Sequence, residues 1–577
     1  MSGVLTPASS TSTFCEPSAF HPTRVEEEAR REERRAEQYG GDVPEDPVPK
    51  TAPYVPSVVD EKIDPNQVDW DGPDDPENPQ NWSTGRRWFI TFLGLVMTIN
   101  VTFASSAPSS AGPTIAATFD KSAEYGYLVT TVFLCGYVIG PLFWGPGSEL
   151  LGRRPLFLLT LGAYTILHLG QALATNIETL LATRFLGGFF AVAPLTNCGG
   201  LMFDIWDPIR RGIATALFVA GVFIGPVLGP IIGGFLTTSY LGWRWVFWIM
   251  MIFAGACTFV AAIWVPETYA PVLLQQKAQR LRKADPVKNA DLYAEHERAD
   301  WSVKGIMHRT LYRPLLMLAI EPILLLVTIY LSLVYGVLYA LFEALPVIFV
   351  HTRNFTVGEC GLIFIGVGIG TTIGAASFIP LTAHYPRLMK EWRGFPPPEQ
   401  RLFGAMIGGT SLVLGCFWLG WTGNYPSVPW YVPALGTIPI GASVSMVFIS
   451  FLTYLVDTYL GYTASAFAAS TMMRSAVGAA FPLFTTQMFE NLGINWACTL
   501  IGLLGLLLAP SPFLFYKYGA LIRSKSKFSP SPVSIIFTLR FISRWTDCFG
   551  AMSQDLLIAE ELAAEARASA GKEKQEV

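Results

Sequence analysis

Two ionisable side chains, Arg184 and Glu343, stand deep inside runs of sequence that otherwise carry almost no charge. A charged group in hydrocarbon is costly, so each is expected to face a partner or a water-filled cavity. Glu343 follows Tyr335 and Tyr339 at intervals of four, which places the three within about 80° of one another on one helix face. A carboxylate beside two phenols can bind a cationic or aromatic group through charge and ring faces, or act as a proton acceptor. Hydration near a helix end is the plainer alternative for Glu343, and snorkelling to the interface is the plainer one for Arg184. Asn100 and Asn197 lie deep in two further apolar runs and can either donate hydrogen bonds into a cavity or bridge helices. Asp204 and Asp457 each close a run, where solvated loop carboxylates are common, and Glu321 suits an ion-pair network at a membrane edge.

These residues have to be positioned by membrane helices. Of 577 residues, 51% are hydrophobic and 15% charged, against about 25% charged in an ordinary globular protein. With a mean hydropathy of +0.39, that deficit excludes a set of soluble domains and a disordered chain. A net charge of −4 offers no cationic excess for nucleic acid. The eight cysteines are scattered, with no CxxC pair and no histidine at ligand spacing, so no disulfide framework, metal or cofactor is expected.

Runs long enough to cross about 30 Å of hydrocarbon as a helix occur at 88–107, 125–145, 155–175, 178–203, 212–237, 245–265, 316–349, 359–381, 401–421, 430–456, 462–486 and 497–516. Lys and Arg gather in alternate loops, at Arg86/Arg87, Arg153/Arg154, Arg210/Arg211, Arg387/Lys390/Arg393 and Lys517/Arg523/Lys525/Lys527, which by the positive-inside rule are cytoplasmic. The expected organisation is an all-α membrane protein with both termini cytoplasmic. A disordered tail over 1–85 precedes a six-helix bundle over 86–265, a cytoplasmic central loop over 266–313, a second six-helix bundle over 314–516 and a cytoplasmic tail over 517–577. Six plus six suggests the internal duplication of secondary transporters, although the halves show no strong sequence repeat. Within the first tail, the Glu26/Arg30 and Glu27/Arg31 pairs favour a short solvated helix, and no apolar segment there reads as a cleavable signal. Within the second, 533–554 reads either as an interfacial amphipathic stretch or as the translation of an unspliced intron.

Three motifs carry more information. Gly145-Pro146-Gly147-Ser148-Glu149-Leu150-Leu151-Gly152-Arg153-Arg154-Pro155 joins the second and third spans. Its glycines permit a tight turn, and its acid and arginines can make and break ion pairs. Arg184 with Gly187-Gly188 lies in the fourth span. Gly221, Gly225-Pro226, Gly229-Pro230 and Gly233 make a smooth face on the fifth, bent by its prolines. The loop resembles the signature of the major facilitator superfamily, with Glu149 where most members carry Asp. The resemblance implies a conformational latch at Gly145, Glu149, Gly152, Arg153 and Arg154, a proton-coupling role for Arg184, and an antiporter motif in the fifth span. Flanking runs Asn78-Pro79-Gln80-Asn81-Trp82-Ser83, Gly242-Trp243-Arg244-Trp245, Pro266-Glu267-Thr268-Tyr269-Ala270-Pro271 and Tyr454-Leu455-Val456-Asp457-Thr458-Tyr459 are similar to the fungal twelve-spanner drug:H⁺ antiporters.

The function so implied is proton-coupled export of small amphipathic compounds from a monomer in the plasma membrane. Arg184 and Glu343 would couple protons, and Asn100, Asn197, Tyr335, Tyr339 and Glu343 would line the substrate cavity. A proton-coupled nutrient importer and a non-transporting membrane sensor are the alternatives. An enzyme is disfavoured because no nucleophile–base constellation occurs, and no Walker loop points to ATP.

Overall fold

The computed structural model describes residue 64 and residues 66–529, except 73, 207, 299–301, 386, 389–395, 460–461 and 524–525. The expected tail features at 26–31 and 533–554 lie outside the described residues. Twelve helices correspond to the twelve apolar runs: α1 Thr84–Ser106, α2 Glu124–Leu151, α3 Arg153–Ala172, α4 Ile177–Ile205, α5 Pro208–Thr238, α6 Arg244–Trp264, α7 Pro322–Leu345, α8 Val357–Leu381, α9 Phe403–Gly423, α10 Thr437–Tyr459, α11 Thr463–Leu492 and α12 Ile494–Leu508. Eleven described helical segments are long and apolar enough to cross a membrane. The exception is α11, which has 30 residues but spends many of them on Ala, Ser, Thr and Arg474.

Local chemistry sets the helix boundaries. The Asn176 side chain caps α4 by accepting from Thr179 N–H at 2.8 Å, which makes the polar turn after α3 a true break. Thr356 and Glu359 form a capping box that starts α8. Between α2 and α3 a single residue, Gly152, reverses the chain with φ +92°, a value that only glycine adopts without strain.

The packing has a symmetry that the sequence does not display. In the first half α1 lies on α5, α2 on α4, and α3 on both α4 and α6. Adding six to each number gives the pairings of the second half: α7 on α11, α8 on α10, and α9 on both α10 and α12. The contacts between halves, α2 on α11 and α5 on α8, exchange under the same offset. Two halves related in this way share one central seam.

One expectation needs correction. The end of the supposedly disordered tail is docked on the helix Ala270–Ala284 between the halves. Gln67 pairs with Tyr293, Arg280 holds Glu77 through two bonds of 2.9 and 2.8 Å, and Lys277 Nζ meets Asp71 at 2.7 Å and Asp75 at 3.3 Å. Val68, Ala278 and Ala294 form a small satellite core beneath. Burial opposes the charge on Asp75, but the N–H groups of Asp71 and Glu77 together with Lys277 outweigh it and hold the carboxyl below its ordinary value. The stabilisation from Asp75 is therefore complete above the ordinary carboxylate value and is lost as pH falls through the lower folded one. Hydrogen exchange across 66–80 is expected to rise about tenfold in Asp75→Asn at neutral pH, as for loss of one charged hydrogen-bond set. Unchanged exchange would show that the segment is held by its backbone alone.

Candidate functional site

Within the seam that the α2–α11 and α5–α8 contacts form, α7 contributes a polar link. Tyr339 Oη lies 2.8 Å from Ser105 Oγ of α1 and 3.3 Å from Tyr335 Oη one turn away. Both tyrosines are buried, so the phenols form a polar thread from one half to the other inside an apolar core. Glu343, one turn beyond Tyr339, is also buried. It makes no hydrogen bond or ion pair among the described residues. Phe342 beside it packs on Phe364 of α8 at 5.3 Å.

Arg184 is fully buried and does not snorkel. Its Nε donates to Val129 O of α2 and its Nη1 to Ala104 O of α1, both at 3.0 Å, while the guanidinium lies 4.1 Å from the Phe133 ring. The bond to Ala104 has a local cause. In a helix that carbonyl would accept from residue 108, but Pro108 has no N–H, and Arg184 supplies the missing donor. Gly187 and Gly188 make the approach possible, because a Cβ at Gly188 would lie 1.9 Å from Phe133 O. No carboxylate pairs with Arg184 among the described residues. It binds the carbonyl adjacent to Ser105, which in turn holds Tyr339.

The other expected cavity residues part company. Asn197 accepts from Arg153 Nη1 at 3.1 Å and donates to Trp144 O at 3.2 Å, so it belongs to the helix-end network and not to the seam. Asn100 faces the interior of the first half, where its carbonyl accepts from Tyr164 Oη at 3.5 Å and its side chain neighbours Cys257.

At the end of the bundle holding Gly152, the predicted loop organises a compact ion-pair cluster. Arg153 Nε meets Asp204 at 3.1 Å, and its Nη1 also donates to Ser148 Oγ at 2.7 Å. Glu267, just past α6, accepts from the N–H groups of Arg153 and Arg154 at 2.9 and 3.1 Å, capping α3 with a carboxylate where the helix dipole favours one. Arg154 reaches Ala262 O at 3.0 Å. Glu149 makes no hydrogen bond or ion pair among the described residues, and a Cβ on Gly145 would meet nothing within 4 Å. The hydrogen-bonded cluster thus consists of Gly152, Arg153, Asp204 and Glu267, with Glu149 close enough to act on the charges of Arg153 and Arg313. The solvated reading of Asp204 and Asp457 is corrected at both sites, because the second half repeats the device: Arg401 Nε meets Asp457 at 2.9 Å, Tyr385 Oη donates to the same oxygen at 2.7 Å, and Arg401 stacks 3.4 Å from the Tyr385 ring. Burial opposes the Arg401 charge, but Tyr385 and Asp457 outweigh it and keep the guanidinium above its ordinary value. Glu321 accepts from Ser526 Oγ at 2.6 Å and Lys527 N–H at 3.0 Å, a hydrogen-bonded edge contact with no ion pair among the described residues, in place of the expected ion-pair network.

On α5 the glycine face lies against α1. A Cβ at Gly225 would lie 2.0 Å from Thr102 Oγ1, and one at Gly229 would lie 1.9 Å from Ser106 Oγ. Gly233 meets Ala107 O in the same way, and the opposite side of α5 receives Gly361 of α8 at Pro230 O. Pro226 and Pro230 sit inside an unbroken helix.

One seam residue escaped the sequence reading. Arg474 of α11 is buried, with its Cζ 5.5 Å from the Tyr335 ring and 5.2 Å from that of Phe448. An arginine in a membrane segment is itself the signal, but the many small polar residues around it in α11 mask the contrast.

Two six-helix halves with a shared polar seam and matched ion-pair clusters define a multi-pass membrane protein, and its class is given by what it resembles. The Major Facilitator Superfamily model matches residues 93–482, and the chain belongs to that family. It is 42% identical to the citrinin biosynthesis cluster MFS transporter of Monascus ruber, over 80% of this chain and 92% of that one. It is 44% identical to the MFS-type efflux pump MFS2 of Trichophyton rubrum, over 81% of this chain and 78% of that one. These relatives are consistent with the fungal efflux branch of the family. Among solved structures, the xylose transporter XylE from E. coli in a partially occluded inward-open conformation shares the fold, with a TM-score of 0.56, 17% identity, and coverage of 75% of this chain and 98% of that one.

Proposed function

We propose that the chain exports small amphipathic compounds, drugs or toxic secondary metabolites, in exchange for protons across the plasma membrane, by alternating access. The observation that carries this reading is Glu343: a buried carboxyl without a hydrogen-bond or ion-pair partner among the described residues, one turn from the phenol that joins the two halves. Protons arriving from outside neutralise Glu343, substrate is released outward, and proton loss to the cytoplasm resets the carrier. Arg184 has a positioning role, because it fixes the α1 carbonyl beside Ser105 and so the height of Tyr339 over Glu343. The paired latches, Arg153–Asp204 and Arg401–Asp457, close in one state and open in the other. The small α1–α5 gap keeps the first half rigid while the halves rock.

The test is efflux from reconstituted vesicles under an imposed pH gradient, across cationic, neutral and anionic compounds. Wild-type efflux is expected to rise with the gradient, and Glu343→Gln to lower it at least about tenfold and abolish the gradient dependence, because a neutral amide cannot carry the proton. Rates indifferent to the gradient would remove proton exchange, and a merely partial loss in Glu343→Gln would remove Glu343 as its carrier.

A further inference from the structure

Arg474 and Arg184 are the same residue type at similar burial in the same bundle, yet their surroundings differ. Arg184 donates to two backbone carbonyls. Arg474 makes no hydrogen bond or ion pair among the described residues, and its buried Nε has no acceptor. Its contacts are the faces of Tyr335 from α7 and Phe448 from α10. These three helices meet tightly: a Cβ on Gly478, one turn from Arg474, would lie 2.8 Å from the Tyr335 ring. Two rings attract the charge but offer no acceptor for the N–H donors of a guanidinium, so they do not replace the hydrogen bonds it gives up on burial. Glu343 does not fill the gap. It lies two turns along α7 from Tyr335, about 12 Å of helix rise, and no ion pair joins it to Arg474 among the described residues.

We propose that Arg474 is the anion clamp of the transport site, so that the exported compounds include flat, apolar molecules bearing a carboxylate or comparably acidic group, held against the guanidinium beside Tyr335 and Phe448. The planar fork of arginine matches a carboxylate through two parallel bonds. The Tyr335 and Phe448 rings, packed together at 6.0 Å, form one aromatic surface that favours an unsaturated body for the remainder of the ligand. Ser470, one turn from Arg474 on the same helix face, has a buried hydroxyl without a partner among the described residues and supplies a further donor to the acidic group. The position suits a transport site, because Tyr335 belongs to the phenol thread that crosses between the halves. A ligand bound there touches the groups that must separate when the halves rock.

This assignment rests on the export reading, and it is tested without transport. Equilibrium binding of pyrenebutyrate, its methyl ester and pyrenemethylammonium to the purified full-length protein in detergent is measured by fluorescence anisotropy. The wild type is expected to bind the acid at least about tenfold more tightly than the ester or the amine, as for a charge-assisted hydrogen-bond pair. Arg474→Gln is expected to weaken the acid about 10- to 100-fold and leave the ester within about twofold, with Arg474→Lys between them because it keeps charge but loses the fork. A wild type that does not prefer the acid overturns the assignment even if the variants misfold, and so does an equal loss of acid and ester in a monodisperse Arg474→Gln. Acid binding with gradient-indifferent efflux would overturn the proton-exchange reading alone. Gradient-driven efflux without acid preference would overturn the clamp alone.

Discussion

Arg184→Leu is expected to reduce efflux by more than tenfold and to lower the thermal midpoint by several degrees, with Arg184→Lys recovering only part of either. The substitution removes two charge-assisted bonds, to Val129 O and Ala104 O, worth about 1.5–3 kcal/mol each. Against a total stability of about 5–15 kcal/mol for a typical protein, that loss is large. A lysine brings one compact ammonium in place of a planar fork, so it cannot serve carbonyls on two different helices and stack on Phe133 at once. The two consequences can be separated. Because Ala104 O lacks its helical donor only on account of Pro108, Pro108→Ala in the Arg184→Leu background restores an N–H to that carbonyl and is expected to recover stability. Efflux should stay low, because the link from α4 to the base of the Ser105–Tyr339 bond is still missing. Initial efflux rates per folded transporter, set beside melting curves, measure both. An Arg184→Leu variant that melts like the wild type and exports at its rate would remove the residue from the mechanism.

Arg184 and Glu343 were legible in sequence for the same reason that they are costly: each is a lone charge in an apolar run. Arg474 is equally costly and equally buried, but α11 is built from Ala, Ser, Thr and Met, so the charge there is not conspicuous against its neighbours. Asn197 shows the opposite error. It shares a helix with Arg184, but thirteen residues at 100° each turn it about 220° away, onto another face. Depth in a helix follows from position in the run, whereas the facing side follows from the angle around the axis. Asp204 and Asp457 could not be separated from solvated helix ends locally, because their partners Arg153 and Arg401 stand more than fifty residues earlier in the chain. The same limit hid the clasp before α1. A segment rich in Asp, Glu and Pro has the composition of a disordered tail, and only its match to Lys277 and Arg280, one turn apart on the loop helix, gives it a fixed place. The two-fold pairing of the halves is likewise a property of contacts, preserved after the sequence repeat has faded.

The glycine face of α5 permits a graded prediction that distinguishes packing from mere motif membership. Gly225→Ala and Gly229→Ala should each lower efflux at least about tenfold, Gly221→Ala should be milder, and Gly145→Ala should be close to neutral, an ordering set by what each added methyl meets. At Gly225 the new Cβ runs into Phe103 N at 2.6 Å and Ile99 O at 2.8 Å, and at Gly229 into Ala107 N at 2.7 Å. These are backbone atoms that cannot rotate aside, so α1 and α5 must move apart. Overpacking of this kind costs about 1–3 kcal/mol per site. Its effect here reaches beyond stability, because the stretch of α1 that would be displaced carries Ala104 and Ser105, the anchors of Arg184 and Tyr339. At Gly221 the nearest atoms belong to the Leu95 and Ile99 side chains, which can adopt other rotamers, and at Gly145 there is open space. The four variants differ from the wild type by one methyl each, so unequal expression is corrected by scoring efflux per monodisperse transporter. Wild-type efflux from Gly229→Ala would mean that the α1–α5 gap is not needed for the cycle. Equal damage from Gly145→Ala would mean that the loss follows some property of glycine other than the close approach of helices.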